Sequence, residues 1–278
     1  MQIVRTVNEL RAVQKDWHAR GNVIGFVPTM GALHKGHLSL VKAAQAQSDK
    51  VIVSIFVNPT QFNDPKDLQA YPRTEQTDLE QLEPLSVDLV YLPSADEMYG
   101  QGFATKVSVA GLTDCLCGAS RPGHFDGVAT VVSKLFLQTG ADKAFFGEKD
   151  FQQLQVIRRV VADLNIDIDV IGCPTMREHD GLAMSSRNMR LSDEGRRIAP
   201  QLHQIMQQSA EAIKGGTPIE KAMSTAKSEL ADAGFGKVDY FEVRELENLE
   251  LATNLDRPAR LFAAVFLEDV RLIDNIQI

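Results

Sequence analysis

The sequence predicts an α/β protein, a parallel-sheet domain followed by a smaller α+β C-terminal domain. Three observations point there. Short β-branched runs alternate with amphipathic stretches through most of the chain, and the composition changes after Pro174. The balance of 44% apolar and 24% charged residues is that of a globular chain. Its 278 residues suffice for one large core or two smaller ones, since a domain runs to about 100–200 residues.

Residues 23–27 read as a buried strand stopped by Pro28, and Leu38, Leu40, Val41 and Ala44 then recur at helical spacing. Residues 51–57 read as a second strand, buried on both faces, which completes a βαβ unit. The theme repeats as a helix over 77–85, a strand over 87–91, a helix over 128–137, a strand over 144–146, a helix over 151–164 and a strand over 166–171. Such alternation predicts a Rossmann-like sheet over residues 1–175. Beyond it, Ser192 caps a long helix running to about residue 214, broken by Gly215 and Gly216. Pro218 suits the first turn of a further helix reaching about residue 233. Residues 238–243 and 260–267 alternate like half-exposed antiparallel strands, so 176–278 is read as the smaller domain.

Composition excludes several functions. Lys plus Arg number 29 against 37 Asp plus Glu, a formal charge of -8, so the chain lacks the basic surface of a nucleic-acid binder. With 6% aromatics and one Trp, it is also poor in platforms for stacking bases. The apolar runs 51–57 and 261–267 fall far below the roughly 20 residues of a membrane span, and the N-terminus has no signal-peptide pattern. Cys115, Cys117 and Cys173 are read as reduced thiols, and a cytoplasmic location is expected.

Chemistry is concentrated in three loops. The first, Met30, Gly31, Ala32, Leu33, His34, Lys35, Gly36 and His37, joins a strand to a helix, where backbone N–H groups and the helix dipole favour phosphate. His34 and His37 add ring N–H donors, and Gly36 leaves room for a flat base. A zinc protease would need a Glu after the first His, which is absent. The second loop, Gly147, Glu148, Lys149 and Asp150, offers a mobile cation for phosphate and an acid for ribose or for a helix cap. Third come Met184, Ser185, Ser186 and Arg187, beyond the domain boundary, an anion clamp or an ordinary capped loop. Together they point to ATP.

The H-x-G-H of residues 34–37 with the 184–188 stretch resembles the paired signatures of the class I aminoacyl-tRNA synthetase and nucleotidylyltransferase superfamily. More narrowly, residues 28–37, 56–62, 71–74, 121–125, 147–153, 180–188 and 271–275 resemble the pantothenate synthetases (pantoate–β-alanine ligases) in their order along the chain. One departure is Thr60, where that family usually has Met; it is expected to alter packing behind the pantoate pocket and to leave Gln61 in place.

The resemblance implies ATP-dependent condensation of pantoate with β-alanine to pantothenate, AMP and pyrophosphate through a pantoyl adenylate. By the same resemblance His34 and His37 contact the phosphates, with His37 the proton donor, and Lys149 and Arg187 join them as catalytic residues. Residues 30–37, Gly147, Glu148, Lys149, Asp150, Met176 and 184–187 line the ATP site; Gln61 and Gln153 bind pantoate or β-alanine, or else tie loops together as buried amides. Mg²⁺ is expected to accompany ATP on its phosphate oxygens, with no dedicated protein metal site. Asp78 is either an outer-sphere helper or a solvated helix acid. Arg121 and His124 either border the pantoate site or cap a helix, and Asp64, Lys66, Asp67 and the acidic stretch 242–250 read as solvated faces. The resemblance also implies a homodimer and a C-terminal domain acting as a lid.

Overall fold

The computed structural model describes residues 1–63 and 65–278. Asp64 and the side chain of Asp67 lie outside the described residues. The chain divides into two compact units, 1–148 with 153–174, and 149–152 with 175–278.

The first unit runs β1 (Gln2–Val4), α1 (Val7–Ala19), β2 (Ile24–Thr29), α2 (Lys35–Gln45), β3 (Lys50–Ile55), α3 (Pro65–Ala70), α4 (Glu75–Leu82), β4 (Leu89–Tyr91), α5 (Ala95–Met98), α6 (Leu116–Ser120), α7 (His124–Thr139), β5 (Lys143–Gly147), α8 (Phe151–Leu164) and β6 (Asp169–Cys173). Its strands form one parallel sheet in the order β1-β4-β3-β2-β5-β6. Alternation sorts their side chains. Val27 and Phe145 join the apolar cluster with Leu40, Val41 and Ala44 of α2, while Phe26 and Phe146 meet Phe136 of α7, at ring separations of 6.4 and 6.2 Å. Strand order reverses between β2 and β5, and in open α/β sheets ligands bind in the crevice at such a point.

Pro28 does not stop its strand, which continues to Thr29. It pairs with Ser54 of β3, whereas β5 pairs only with Gly25 and Phe26, so the missing N–H falls beyond the ladder on that side. The helix after Pro122 begins at His124, one turn ahead of expectation, and ends at Gly140 with φ 52°.

The second unit contains α9 (Asp193–Ile198), α10 (Gln201–Lys214), α11 (Ile219–Asp232), β7 (Val238–Glu245), β8 (Ala259–Leu267) and β9 (Val270–Gln277). The expected long helix is two, α9 and α10, because Pro200 has no N–H to donate and its ring collides with the preceding turn. Pro218 is the cap of α11, not part of its first turn. The sheet is antiparallel, β7-β8-β9. Its centre, β8, is buried almost throughout, not half-exposed, because Leu261, Ala263 and Val265 meet the helices and Phe262 meets Phe151, ring to ring at 6.0 Å. The stretch 242–250 is a solvated face only in part: Glu247 and Glu250 are exposed, whereas Glu242 and Glu245 lie in β7, half-buried and paired with Arg244 and Arg257 at 2.7 and 3.0 Å.

Candidate active site

The loop after β2 is built by side-chain acceptors placed on backbone donors. Thr29 Oγ1 donates to the Ser54 carbonyl and accepts from the Gly31 N–H, at 2.8 and 3.2 Å. Asp78 of α4, 1% exposed, takes the Ala32 and Leu33 N–H groups on its two oxygens at 3.0 and 2.7 Å, with Thr74 Oγ1 at 3.2 Å. Asp78 is therefore not a solvated helix acid; it clamps the loop. Gln81 Nε2 donates to the Leu33 carbonyl, 3.2 Å. Gly31 has φ 80°, and a Cβ there would sit 3.0 Å from the Asp78 carboxylate, so the clamp and the glycine require each other.

The two histidines close the turn as a reciprocal cap of α2. His34 Nδ1 accepts from the Gly36 N–H at 3.1 Å, and His37 Nδ1 accepts from the His34 N–H at 3.3 Å, with the rings 4.1 Å apart. A ring nitrogen that accepts carries no proton, so in each neutral ring the proton is on Nε2. Nε2–H is the donor each histidine can turn toward an anion. Two such donors at a helix N-terminus suit a polyphosphate.

Gln61 ends a 3₁₀ turn, Pro59–Gln61, and is buried. Its Nε2 lies 2.8 Å from Met30 Sδ, which brings the expected acid-binding amide against the first loop. The Gln61 carbonyl receives His124 Nδ1 at 2.8 Å and an Arg121 N–H at 3.3 Å. Arg121 and His124 thus anchor the backbone beneath Gln61. Asn58, which the sequence reading passed over although it stands inside the 56–62 stretch, donates to Gln61 Oε1 at 3.0 Å. Thr60 is an exposed residue whose hydroxyl bonds Asn58, the partner of Gln61, at 2.9 Å. Gln153 is half-buried in the first turn of α8. A cavity of about 570 Å³ adjoins Met30, Gly31 and Asp78, floored by Ile55, Phe56 and Leu92 and rimmed by Arg5 and Arg73.

Lys149, Asp150, Met176 and residues 184–187 belong to the second unit. Lys149 and Asp150 lie in a 3₁₀ turn, Glu148–Asp150, with Lys149 Nζ 3.7 Å from the Asp150 carboxylate. The Lys149 carbonyl accepts from Asn275 Nδ2 of β9 at 2.8 Å, and Arg260 donates to Asn275 Oδ1 at 2.5 Å. Met176 is 41% exposed, and its carbonyl accepts from the Met184 N–H at 3.0 Å, which folds 176–184 into a narrow ribbon. Ser185 caps the turn Ser186–Arg190 by accepting the Arg187 N–H, 3.3 Å. Beneath the ribbon, Arg177 grips Asp274 with two bonds of 2.6 and 3.0 Å. Burial alone would raise the Asp274 carboxyl; His203, the Arg177 guanidinium and the Asn275 N–H more than offset it and hold it below the usual carboxylate range.

Comparison with known proteins places this arrangement among relatives. A family model described as pantoate-beta-alanine ligase matches residues 2–277. The pantothenate synthetase of Roseobacter denitrificans is 59% identical over 276 residues, covering 99% of this chain and 97% of that one. That of Ruegeria sp. is 54% identical, with 99% of each chain covered. Among solved structures, pantothenate synthetase from Thermus thermophilus matches with a TM-score of 0.93 at 43% identity, covering 100% of this chain and 99% of that one. Pantoate-beta-alanine ligase from Francisella tularensis, complexed with beta-gamma ATP and beta-alanine, matches at a TM-score of 0.84 and 37% identity, covering 100% and 97%.

Proposed function

The chain belongs to the pantoate–β-alanine ligase family, and from that premise we propose that it joins pantoate to β-alanine at the expense of ATP, giving pantothenate, AMP and pyrophosphate. The observation within the molecule that carries the reading is the reciprocal cap by which His34 and His37 hold both rings at the start of a helix on a strand–loop–helix turn.

The chemistry runs in two displacements. A pantoate carboxylate oxygen bonds to the α-phosphorus of ATP while the bond to the bridging oxygen breaks, and the electron pair leaves with pyrophosphate. The β-alanine amine then bonds to the acyl carbon of the pantoyl adenylate, AMP leaves, and the nitrogen gives up a proton. Neither step needs a covalent link to the protein, so its work is positioning and charge stabilisation. His34 and His37 donate Nε2–H hydrogen bonds to phosphate oxygens as charge shifts onto the leaving group. His37 is the candidate proton donor in its protonated form, in which Nδ1 no longer accepts from the His34 N–H. Lys149, Ser185, Ser186 and Arg187 neutralise pyrophosphate, and Asp150 with Gly147 holds the ribose. Gln61 and Gln153 bind the pantoate oxygens through amides, which both donate and accept.

Among the described residues no group of three His, Cys, Asp or Glu is placed to hold a metal ion, and Asp78 has both oxygens on backbone N–H groups. Mg²⁺ is assigned to the triphosphate, held by phosphate oxygens, because it keeps oxygen ligands and binds with substrate phosphates. A cytoplasmic location fits the three free cysteines. A homodimer is the expected assembly, and sedimentation showing only monomer across working concentrations would refute it.

The protein is incubated with ATP, Mg²⁺ and pantoate, and pyrophosphate and AMP are followed before and after β-alanine is added. Pyrophosphate that depends on pantoate, then AMP and pantothenate that depend on β-alanine, is the expected result. Folded protein that binds ATP and forms neither product overturns the reading. For His37, a His37→Ala variant of undiminished activity removes it from the mechanism.

A further inference from the structure

Asn58 is 1% exposed, and a backbone group at each end of its amide favours one orientation, which two hydroxyl donors then hold. Nδ2 lies 3.1 Å from the Gly127 carbonyl, which only accepts, and Oδ1 lies 3.3 Å from the Thr60 N–H, which only donates. A flipped amide would set acceptor against acceptor at one end and donor against donor at the other. The remaining Nδ2 hydrogen points to Gln61, so the Gln61 atom 3.0 Å away is Oε1. Gln61 therefore turns its NH₂ outward, to Met30 Sδ, a weak acceptor that a substrate oxygen outcompetes.

Two hydroxyls secure this relay. Tyr99 OH donates to Asn58 Oδ1 at 2.7 Å and Thr60 Oγ1 at 2.9 Å, the hydroxyls themselves being 3.3 Å apart. Burial pushes the Tyr99 phenol up, which keeps it a donor. We propose that Tyr99 and Thr60 are a mutually redundant pair of positioning residues that, through Asn58, lock the Gln61 amide with its NH₂ toward the substrate, so that this position selects a hydrogen-bond acceptor on pantoate. The proposal rests on the reading of Gln61 as a pantoate ligand. Redundancy follows from the geometry: losing either hydroxyl leaves Oδ1 two donors, whereas losing both leaves one N–H at 3.3 Å.

The test is a double-mutant cycle of Thr60→Val and Tyr99→Phe, read as KM for pantoate, KM for ATP and unfolding temperature. Each single change is expected to raise KM for pantoate by no more than about threefold, and the pair by about tenfold or more, with KM for ATP unchanged. Thr60→Ser in the Tyr99→Phe background is expected to behave like Tyr99→Phe alone, because it keeps the hydroxyl. A folded double variant whose pantoate KM stays within about twofold of the parent overturns the relay. Gln61→Glu provides an independent arm, since it keeps the oxygen facing Asn58 and replaces only the outward NH₂. A rise in pantoate KM of about a hundredfold or more supports the assigned polarity, and an unchanged KM refutes it. If Gln61→Ala also leaves pantoate KM unchanged, it is the ligand assignment that fails; if Gln61→Ala raises it while the cycle shows nothing, only the relay fails.

Discussion

Gly127 shows how little freedom a single position has beside the candidate acid-binding amide. A Cβ there would lie 2.5 Å from the Thr60 carbonyl oxygen and 2.7 Å from the Gln61 nitrogen, so only glycine lets α7 pass so close to the 3₁₀ turn. Gly127→Ala is expected to displace Gln61, costing about 1–3 kcal/mol of stability. It should also raise KM for pantoate while leaving KM for ATP near its parent value, a split that steady-state kinetics with each substrate varied would reveal. Asp78→Asn makes the converse point. Whichever way the new amide turns, its NH₂ opposes the Ala32 or the Leu33 N–H, for a loss of about 1–3 kcal/mol in urea unfolding. KM for ATP should rise with it; a destabilised variant with unaltered KM for ATP would separate the clamp from nucleotide binding. The histidines, glycines and Lys149 of these loops stand out in the sequence as candidates through their place after predicted strands and through the family resemblance. The burial of Asp78 could not, because its partners stand 45 and 46 residues away along the chain. Tyr99 reaches Asn58 across 41 residues and carries no local signature either.

At the level of elements, hydrophobic period located β2 to β6 and the helices α2, α4, α7 and α8 but not β1 or α1, while prolines and pairing partners decided the exceptions. Pro28 continues β2 because the neighbouring ladder has already ended, and Pro200 divides a helix whose apolar period runs on regardless. The full burial of β8 depends on having neighbours on both edges, and β9 is one of them. Its residue Asp274 holds the ribbon through Arg177, and Asn275 holds the 148–150 turn through the Lys149 carbonyl. Arg177→Met leaves the Asp274 carboxylate without its main cation and is expected to cost about 3–5 kcal/mol, measured by denaturant unfolding near neutral pH. The pH dependence has a definite sign. Folding lowers the Asp274 pKa, so its contribution is complete above the unfolded value of about 3.9 and disappears as pH falls through the lower folded value. Urea midpoints taken from about pH 5 down to pH 2 should fall more steeply in the parent than in Asp274→Asn.

For the whole molecule, a net charge of -8 sets what approaches it without a dedicated pocket. Transfer RNA at micromolar concentration and low salt should leave pantoate-dependent pyrophosphate release unchanged; salt-sensitive inhibition would reveal a basic surface that the charge balance hides. The presence of a parallel sheet and a smaller antiparallel one could be read from the patterning of the sequence. What composition could not show is that the smaller unit is discontinuous, since residues 149–152 pack with 175–278 although α8 carries the chain straight back. The chain passes from one unit to the other three times, at 148–149, 152–153 and 174–175. Recombination between relatives is constrained accordingly. A chimera that imports a foreign C-terminal segment at residue 175 inherits Asn275 and Arg260 from one parent and the Lys149 backbone and Phe151 ring they hold from the other. The heritable module is the tetrapeptide together with the tail, and a crossover that carries only the tail splits it.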